Sequence, residues 1–276
     1  MTPNGFAYLQ QVLLEHAGIL LEPEKHYLAE ARLAPLAAQE GCESIDALLD
    51  AVQVGGDGGQ LERRVIEAMT NSETSFFRDL HPYEALRTAV LPDLIARRAA
   101  ERSLAIWCAA AASGQEPYSL AMMLREHFPQ LASWKVTLVA SDISEAMISR
   151  ARAGAYSQIE VNRGLPAPLL VKYFRRIDGE WQIAEGMRRA VDFRRINLTA
   201  AWPFLPAMDV ILMRNVLIYF DVSTKKAVLG RVRRQLKPDG YLFLGGGETT
   251  INLDESFAPV QFGKAICYRV APRLAA

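Results

Sequence analysis

Apolar positions up to about residue 70 recur at the spacing of an α-helix. Phe6, Leu9, Val12 and Leu13 follow this spacing, and Gly18 is a typical helix stop. The same pattern predicts three more helices, over 23–39, over 45–52 with Ser44 as the N-cap, and over 61–69. The glycine-rich stretch 55–59 predicts a flexible break between the last two. Because no strand pattern occurs here, we expect an all-helical unit.

From residue 104 the pattern changes to short apolar runs that alternate with helical segments. A helix over 81–98 leads into this part. The predicted strands cover 104–107, 136–140, 210–213 and 241–244. The predicted helices cover 118–128, 144–153 and 223–236, the last ending at KPDG (237–240). Alternating strands and helices predict an α/β fold with a parallel sheet covered by helices on both faces.

The segment 157–195 departs from this alternation. Short alternating apolar runs and a turn at Asp178-Gly179 predict a small antiparallel insertion. Arginine recurs along it, at Arg163, Arg175, Arg176, Arg188, Arg189, Arg194 and Arg195. These arginines indicate either a solvated hairpin surface or a docking surface for a partner, and the sequence leaves both interpretations open.

Polar side chains follow the ends of several predicted strands. They are Glu116, Asp142, Arg214, Asn215 and Glu248. Ligands of open α/β sheets bind at the carboxyl ends of the strands. We therefore expect a ligand site at this edge of the sheet.

The turn at 109–114, between the first strand and the next helix, consists of very small residues. Such residues let the backbone approach a ligand, and the helix start offers free N–H groups. The turn lacks GxGxxG, which favours a ligand without a pyrophosphate, such as S-adenosylmethionine. Glu116 could then bind the ligand's ammonium, or it could be an acid placed for the helix dipole. Asp142 could bind ribose hydroxyls, or Ser141 or Asp142 could simply start the following helix.

The bulk composition removes several function classes. In 276 residues, Lys+Arg 31 balances Asp+Glu 31, so no overall charge indicates nucleic acid or a membrane surface as a partner. No apolar run approaches the roughly 20 residues of a membrane helix, and the N-terminus does not resemble a signal peptide. With three widely spaced cysteines, the chain is expected to be cytoplasmic. The four histidines are scattered, so we expect neither a metal site nor a catalytic triad.

Six motifs follow one another in a specific order along nearly the whole chain. They are TNSETSFFRD (70–79), WCAAAASGQEPYS (107–119), SDIS (141–144), NL (197–198), RNVLIYFD (214–221) and LKPDGYLFLGGGE (236–248). In these motifs the chain resembles the chemotaxis receptor methyltransferases of the CheR type. The resemblance implies an all-helical N-terminal domain over 1–75. It also implies a Rossmann-like S-adenosylmethionine-dependent methyltransferase domain over 76–276, with the antiparallel β insertion at about 157–195.

The resemblance also implies roles for individual residues. Those implied to bind S-adenosylmethionine are Ser72, Thr74, Arg78, Glu116, Asp142, Asn197, Leu198, Arg214 and Asn215. Arg78 and Tyr219 are implied to act at the reacting methyl group. Arg78 could instead form a surface ion pair with Asp79 or Glu73. The adjacent pair Phe76-Phe77 is expected to anchor the packing between the two domains.

The chain departs from the family pattern at three places. Ser72 stands at the position aligned with the usual Asn, although Asn71 is adjacent, and Ala110 and Ala112 stand where Gly and Ser are common. These changes could weaken a cofactor contact. The usual GHSE appears as GGGE (245–248).

The implied activity is methyl transfer to glutamate side chains of chemoreceptors, with S-adenosyl-L-homocysteine as the second product. The implied partner is the cytoplasmic domain of a chemoreceptor. In part of the family the β insertion docks the receptor's C-terminal tail, and the second helix, often basic, contacts the receptor. Here that helix carries Lys25 and Arg32 against Glu22, Glu24 and Glu30. The alternatives are a cofactor-binding signalling or scaffold protein, or a methyltransferase for a non-chemotaxis signalling protein. The missing glycines disfavour a NAD-dependent dehydrogenase.

Overall fold

The computed structural model describes residues 1–55 and 59–271. Its first part contains the four expected helices. They are α1 (Pro3–Ala17), α2 (His26–Gln39), α3 (Ile45–Val54) and α4 (Gln60–Met69). A 3₁₀ turn, Pro23–Lys25, precedes α2, so the second helix is shorter than the expected 23–39. Residues 56–58 of the predicted flexible break lie outside the described residues.

Short polar side chains and glycine set the ends of α1 and α3. Thr2 and Ser44 accept hydrogen bonds from the backbone N–H groups of Gly5 and Ala47, which confirms Ser44 as an N-cap. Gly18 ends α1 in the left-handed conformation, with φ 68°. The buried faces of the four helices form one apolar core, which includes Leu9, Leu13, Leu33, Leu48 and Val65.

The predicted helix over 81–98 is interrupted by a π-helical turn. It consists of α5 (His81–Ala85), a π-helical stretch (Leu86–Val90) and α6 (Leu91–Arg97). The helix leads into the large sheet, and its apolar side is buried against that sheet's core at Leu86, Leu91 and Leu94.

The α/β part is built on a seven-stranded sheet with the order β6-β2-β1-β7-β8-β10-β9. Its strands are β1 (Ser103–Ala109), β2 (Lys135–Asp142), β6 (Asp192–Arg195), β7 (Met208–Met213), β8 (Leu236–Leu244), β9 (Phe257–Phe262) and β10 (Ala265–Val270). Pairing is parallel from β6 through β8 and antiparallel for β10 with β8 and β9. The expectation of a parallel sheet is therefore wrong for the last two strands. Their connection at Gly263-Lys264 is too short for a parallel crossover.

The preceding helix ends at Gln235, so its predicted end at the KPDG segment (237–240) is confirmed. The same segment belongs to the first half of β8, which was not predicted. A register shift between Met208 and Val210 of the neighbouring strand accommodates it. Turn-forming residues predicted a break correctly but could not show that the chain stays extended through it.

Helices cover both faces of the large sheet. They include α7 (Gln115–His127), α8 (Glu145–Ala153) and α12 (Val222–Gln235). Side chains of β1 alternate between two cores: Ile106 and Cys108 lie in one, Ala105 and Trp107 in the other. This period of two confirms a strand buried on both faces. The helix α7 begins at Gln115 rather than at residue 118.

A small antiparallel sheet interrupts the α/β order, with strand order β3-β5-β4. It comprises β3 (Ala155–Tyr156), β4 (Phe174–Ile177) and β5 (Glu180–Ile183), accompanied by the short helices α9 (Gln158–Asn162), α10 (Ala167–Tyr173) and α11 (Glu185–Arg188). The predicted turn is confirmed, since Asp178 and Gly179 both have positive φ. The expected limits 157–195 are wrong at the far end, because β6 pairs with β2 of the large sheet. Apolar alternation predicts a strand but does not identify its neighbour.

Phe76 packs differently from the expected anchor between domains. Its fully buried ring makes edge contacts with the rings of Tyr156 and Phe174, at centroid-to-centroid distances of 5.1 and 5.6 Å. Both belong to the small sheet. At Phe76, the segment 71–80 therefore packs against the insertion rather than against the core of the four helices.

A buried ion-pair network lies at the opposite, amino-terminal end of β7. Asp209, which is fully buried, accepts bonds from Arg98 at 2.8 Å and Lys237 at 2.9 Å. Arg98 also holds both carboxylate oxygens of Asp239. This network joins α6 to β7 and β8 far from the carboxyl ends of the strands.

Candidate functional site

An open cleft lies at the carboxyl ends of β1, β2 and β7, and together with the solvent space at its mouth it measures about 1010 Å³. Residues of the four-helix part, including Ala17, Ile19 and Met69, close one side of it. All of the site residues expected from the sequence line this cleft: Ser72, Thr74, Arg78, Glu116, Asp142, Asn197, Leu198, Arg214, Asn215 and Tyr219. Glu248 is the one strand-end side chain of the earlier prediction that is not part of the lining.

The turn between β1 and α7 forms the floor of the cleft. Ala110 and Ala112 line it and have φ of 57° and 46°, a left-handed region that suits glycine better than alanine. Gly114 also has positive φ, and a Cβ there would lie 2.9 Å from the Cβ of Ala151. The small residues of this turn therefore allow the backbone to reverse its direction, and they also leave open space in the cleft.

Glu116, Arg214 and Asp79 come together in one network. Arg214 Nη1 donates to Glu116 Oε2 at 2.8 Å, and Nη2 donates to Asp79 Oδ2 at 2.5 Å and to the Arg78 carbonyl. The Arg214 side chain is 2% exposed, and its Nε has no hydrogen-bond partner among the described residues. Glu116 is thus more than an acid placed for the helix dipole, because it pairs with the end of β7.

Opposing effects act on the charge of Glu116. Burial raises the pKa of this carboxyl, and the Arg214 guanidinium acts in the opposite direction. Burial also opposes the charge of Arg214, while Glu116 and Asp79 favour it. The pair is therefore held together in a setting where each isolated charge would be costly.

Asp142 ends β2 and holds two backbone segments. Its Oδ2 accepts from the Ala112 N–H at 2.9 Å and its Oδ1 from the Ser144 N–H at 3.0 Å. Burial raises its pKa, although these N–H donors act to lower it. The helix-cap alternative is wrong, because the side chain of Ser144 caps α8 at Met147.

The segment 71–80 forms the rim of the cleft. Arg78 donates to the backbone carbonyl of Glu73 at 3.1 Å. The alternative of an ion pair between Arg78 and Glu73 or Asp79 is not found in the described structure. Glu73 pairs with Arg163 instead, and Asp79 pairs with Arg214. Phe77, Asp79 and Leu80 all have positive φ, so this turn is strained.

Asn71 is a cleft residue that the sequence prediction passed over. Its Nδ2 donates to the hydroxyl of Tyr219 at 2.8 Å. Asn71 lies next to Ser72, where the chain departs from the family pattern. The adjacent asparagine was the available signal, but its partner across the cleft was not visible in the sequence.

Asn197 joins the two parts of the chain. Its Nδ2 donates to the carbonyl of His16 at 2.6 Å, and its Oδ1 accepts from the N–H and hydroxyl of Thr199. The side chains of Leu198, Ile143 and Ile196 give this end of the cleft an apolar wall. Ile143 and Ile196 were not predicted, since single isoleucines carry no specific signal.

The described residues contain neither a metal-binding cluster nor a membrane-spanning helix. Within residues 1–55 and 59–271, no group of His, Cys, Asp and Glu side chains is arranged to hold a metal ion. In the same described ranges, no helix is long and apolar enough to cross a membrane.

Known protein families match almost the whole chain. A family model described as CheR methyltransferase, SAM binding domain, matches residues 72–266, and one described as CheR methyltransferase, all-alpha domain, matches residues 4–70.

Three named relatives are similar to this chain in both sequence and length. Chemotaxis protein methyltransferase 1 of Pseudomonas aeruginosa is 40% identical over 272 residues, which cover 96% of this chain and 98% of that protein. Chemotaxis protein methyltransferase Cher2 of Pseudomonas putida is 38% identical, covering 94% of this chain and 95% of that protein. Chemotaxis protein methyltransferase of Vibrio parahaemolyticus is 36% identical, covering 94% of each.

Proposed function

Because the chain belongs to the CheR methyltransferase family, we propose that it transfers a methyl group from S-adenosylmethionine to glutamate side chains of chemoreceptors. The observation that carries this proposal is the cleft, where Arg214 joins Glu116 at the carboxyl ends of the strands. We also propose 1–75 as the helical domain and 76–276 as the methyltransferase domain. The three cysteines are free, which supports a cytoplasmic location.

The residues of the cleft fit S-adenosylmethionine. Arg214 occupies Oε2 of Glu116, so Oε1 is available to an ammonium group. The amino acid part of S-adenosylmethionine also carries a carboxylate, and the buried, unpaired Nε of Arg214 is a donor suited to it. Each oxygen of Asp142 can accept a second hydrogen bond, from a ribose hydroxyl. When bound, this cofactor supplies a methyl group on a positively charged sulfur.

The protein's contribution to the reaction is positioning and exclusion of water. A glutamate acceptor has an ordinary pKa of about 4.3 and is already ionised at neutral pH, so it needs no general base. We assign Arg78, on the cleft rim, the role of holding the acceptor carboxylate. Tyr219, held by Asn71, shapes the wall beside the methyl group. Such positioning can lower a barrier by roughly 7–11 kcal/mol.

The test is transfer of tritiated methyl groups to purified chemoreceptor cytoplasmic domains. A methyl ester of glutamate is labile to base, so the label should be released as volatile methanol on alkaline treatment. Arg78→Ala should slow transfer strongly, whereas Arg87→Ala, on the exposed face of the π-helical stretch, should not.

Base-stable label would refute glutamate methylation. Transfer by Arg78→Ala at the wild-type rate would refute the role of Arg78. Cofactor binding without transfer to any receptor would favour the scaffold alternative.

We propose the small sheet as the part that docks the receptor's C-terminal tail. β4 is an edge strand, and its exposed residues include Arg175 and Arg176. An edge strand can pair with an extended peptide, and two arginines favour an acidic one. Removing the tail from a receptor should therefore raise the KM for that receptor. An unchanged KM would show that the tail does not dock here.

The second helix gives little support to receptor contact. Arg32 donates to the carbonyls of Met69 and Thr70 at the end of α4, and Lys25 pairs with Glu22. Both basic side chains therefore have partners within this chain. We expect their substitution to affect stability more than receptor binding.

A further inference from the structure

Glu248 lies just after β8 and accepts four backbone hydrogen bonds. Its Oε2 accepts from the N–H groups of Gly245, at 2.6 Å, and Asn215, at 2.8 Å. Its Oε1 accepts from Val216, at 2.9 Å, and Ile218, at 3.3 Å. One carboxylate thus ties the turn after β8 to the loop after β7.

Only a group without donors suits this position. An ionised carboxylate accepts on both oxygens, whereas a glutamine amide would point its NH₂ group at two of the four N–H donors. The loop needs this support because Asn215 has φ 58°, a left-handed conformation that even asparagine adopts at some cost. Glu248 therefore holds the loop in a shape that its own sequence does not favour.

Gly245 leaves the space that the carboxylate occupies. A Cβ at this position would lie 2.7 Å from Glu248 Oε2 and 2.9 Å from the Asn215 backbone nitrogen. Any side chain here would displace either the carboxylate or the loop. The glycine that begins the GGGE motif is thus required by the glutamate that ends it.

The loop held by Glu248 carries part of the cleft lining. Asn215, Val216 and Tyr219 all line the cleft, although Glu248 itself does not. The far end of the loop is fixed separately, because the Leu20 N–H donates to the Tyr219 carbonyl at 2.8 Å. Glu248 therefore sets the near end of the loop, next to β7.

We propose that Glu248 is a positioning residue for methyl transfer, acting through the loop 215–219. This inference rests on the proposed function, since it assumes that Tyr219 shapes the reaction centre. Asn215, one of the residues implied to bind the cofactor, lies in this loop, whereas Glu116 and Asp142, on other elements, make their contacts outside it. Loss of the carboxylate should consequently affect the rate of transfer more than the affinity for the cofactor.

The kinetic test compares Glu248→Gln with Glu255→Gln, an exposed glutamate beyond the site. Misplacement of groups by about 1 Å can cost roughly 100-fold in rate, so we expect kcat to fall by about 10- to 100-fold in Glu248→Gln. Relative to Glu255→Gln, the Kd for S-adenosylmethionine, measured by calorimetry, should rise by a smaller factor than kcat falls, because Asn215 is the one implied cofactor-binding residue within the loop. An unchanged kcat, or a loss confined to the Kd, would overturn the proposal.

A physical measurement separates this inference from the proposed function. Hydrogen exchange at the amides of Asn215, Val216 and Ile218 should be faster in Glu248→Gln than in the wild type or Glu255→Gln. Gly245→Ala should produce the same local acceleration, because it displaces the same carboxylate. Unchanged exchange in both variants would overturn the positioning role, even if the wild type methylates receptors. If exchange is faster in both variants but the wild type transfers no methyl group to receptors, the loop contact would be supported and the proposed function rejected.

Discussion

Replacement of Glu116 by glutamine tests the ion pair at the centre of the cleft. The substitution keeps the shape of the side chain but removes the charge that faces Arg214 at 2.8 Å. A hydrogen bond to a charged group contributes about 1.5–3 kcal/mol. Asp79 remains paired with Arg214, and the burial that raises the pKa of Glu116 no longer opposes a charge. We therefore expect a loss of about 1–2 kcal/mol in the free energy of unfolding.

The free energy of cofactor binding should fall by more than the free energy of unfolding. If Glu116 binds the ammonium group of S-adenosylmethionine, loss of its charge removes a charged hydrogen bond of about 1.5–3 kcal/mol. That range corresponds to roughly a 10- to 100-fold rise in Kd. The loss of stability should lower Tm by about 3–6 °C for a protein of this size.

The assay is calorimetric titration with S-adenosylmethionine, together with thermal unfolding in its absence. Glu185→Gln is the matched control, since it removes an acid from an exposed ion pair with Arg189. Exposed pairs contribute about 0–1 kcal/mol, so the control should resemble the wild type in both measurements. A wild-type Kd for Glu116→Gln would refute the ammonium contact. A Tm equal to that of Glu185→Gln would refute the structural role of the buried pair.

Two further predictions concern the turn after β1 and the network at the other end of the sheet. Ala110→Gly should change the free energy of unfolding by no more than about 0.5 kcal/mol, because relief at φ 57° offsets the greater freedom of glycine in the unfolded chain. Ala109→Gly, within β1, should cost about 1 kcal/mol, and equal urea midpoints for the two variants would contradict this strain argument. Asp239, held by Arg98, has a pKa lowered to about 2, so Asp239→Asn should cost about 1–2 kcal/mol at pH 7. That cost is present above the ordinary pKa of aspartate and shrinks as the pH falls from about 4 towards 2. Urea unfolding at a series of pH values measures it, and a difference independent of pH would be inconsistent with this origin.

Much of the fold follows from local patterns in the sequence. The helical spacing of Phe6, Leu9 and Leu13 predicted α1, and the alternation of strand and helix predicted the four neighbouring strands β2, β1, β7 and β8 of the large sheet. These predictions succeed because burial of one face imposes a fixed period on the chain. Ser44 and Gly18 marked helix ends for equally local reasons.

Pairing between distant segments was less predictable. The strand at Asp192–Arg195 has the pattern of a hairpin strand but adds to the edge of the large sheet, beside β2. Phe76 was expected to pack between domains, yet its partners are Tyr156 and Phe174. Hydrophobicity identifies a side chain that will be buried. It does not identify the surface against which that side chain packs, because the topology of the fold determines this.

The candidate site shows the same division between residue identity and residue connection. Ten of the residues that line the cleft could be found from strand ends and from motifs, because each lies at a recognisable position in its own segment. Their bonds to one another could not, since Arg214 reaches both Glu116 on α7 and Asp79 in the strained turn before α5. The two explanations first considered for Glu116, a helix-start acid and a ligand for an ammonium group, both treated it as acting alone. Its pairing with Arg214 leaves one oxygen available in the cleft and fixes the carboxylate in place before any ligand arrives. A buried acid held in this way loses little conformational freedom on binding, which favours affinity for a small cationic group.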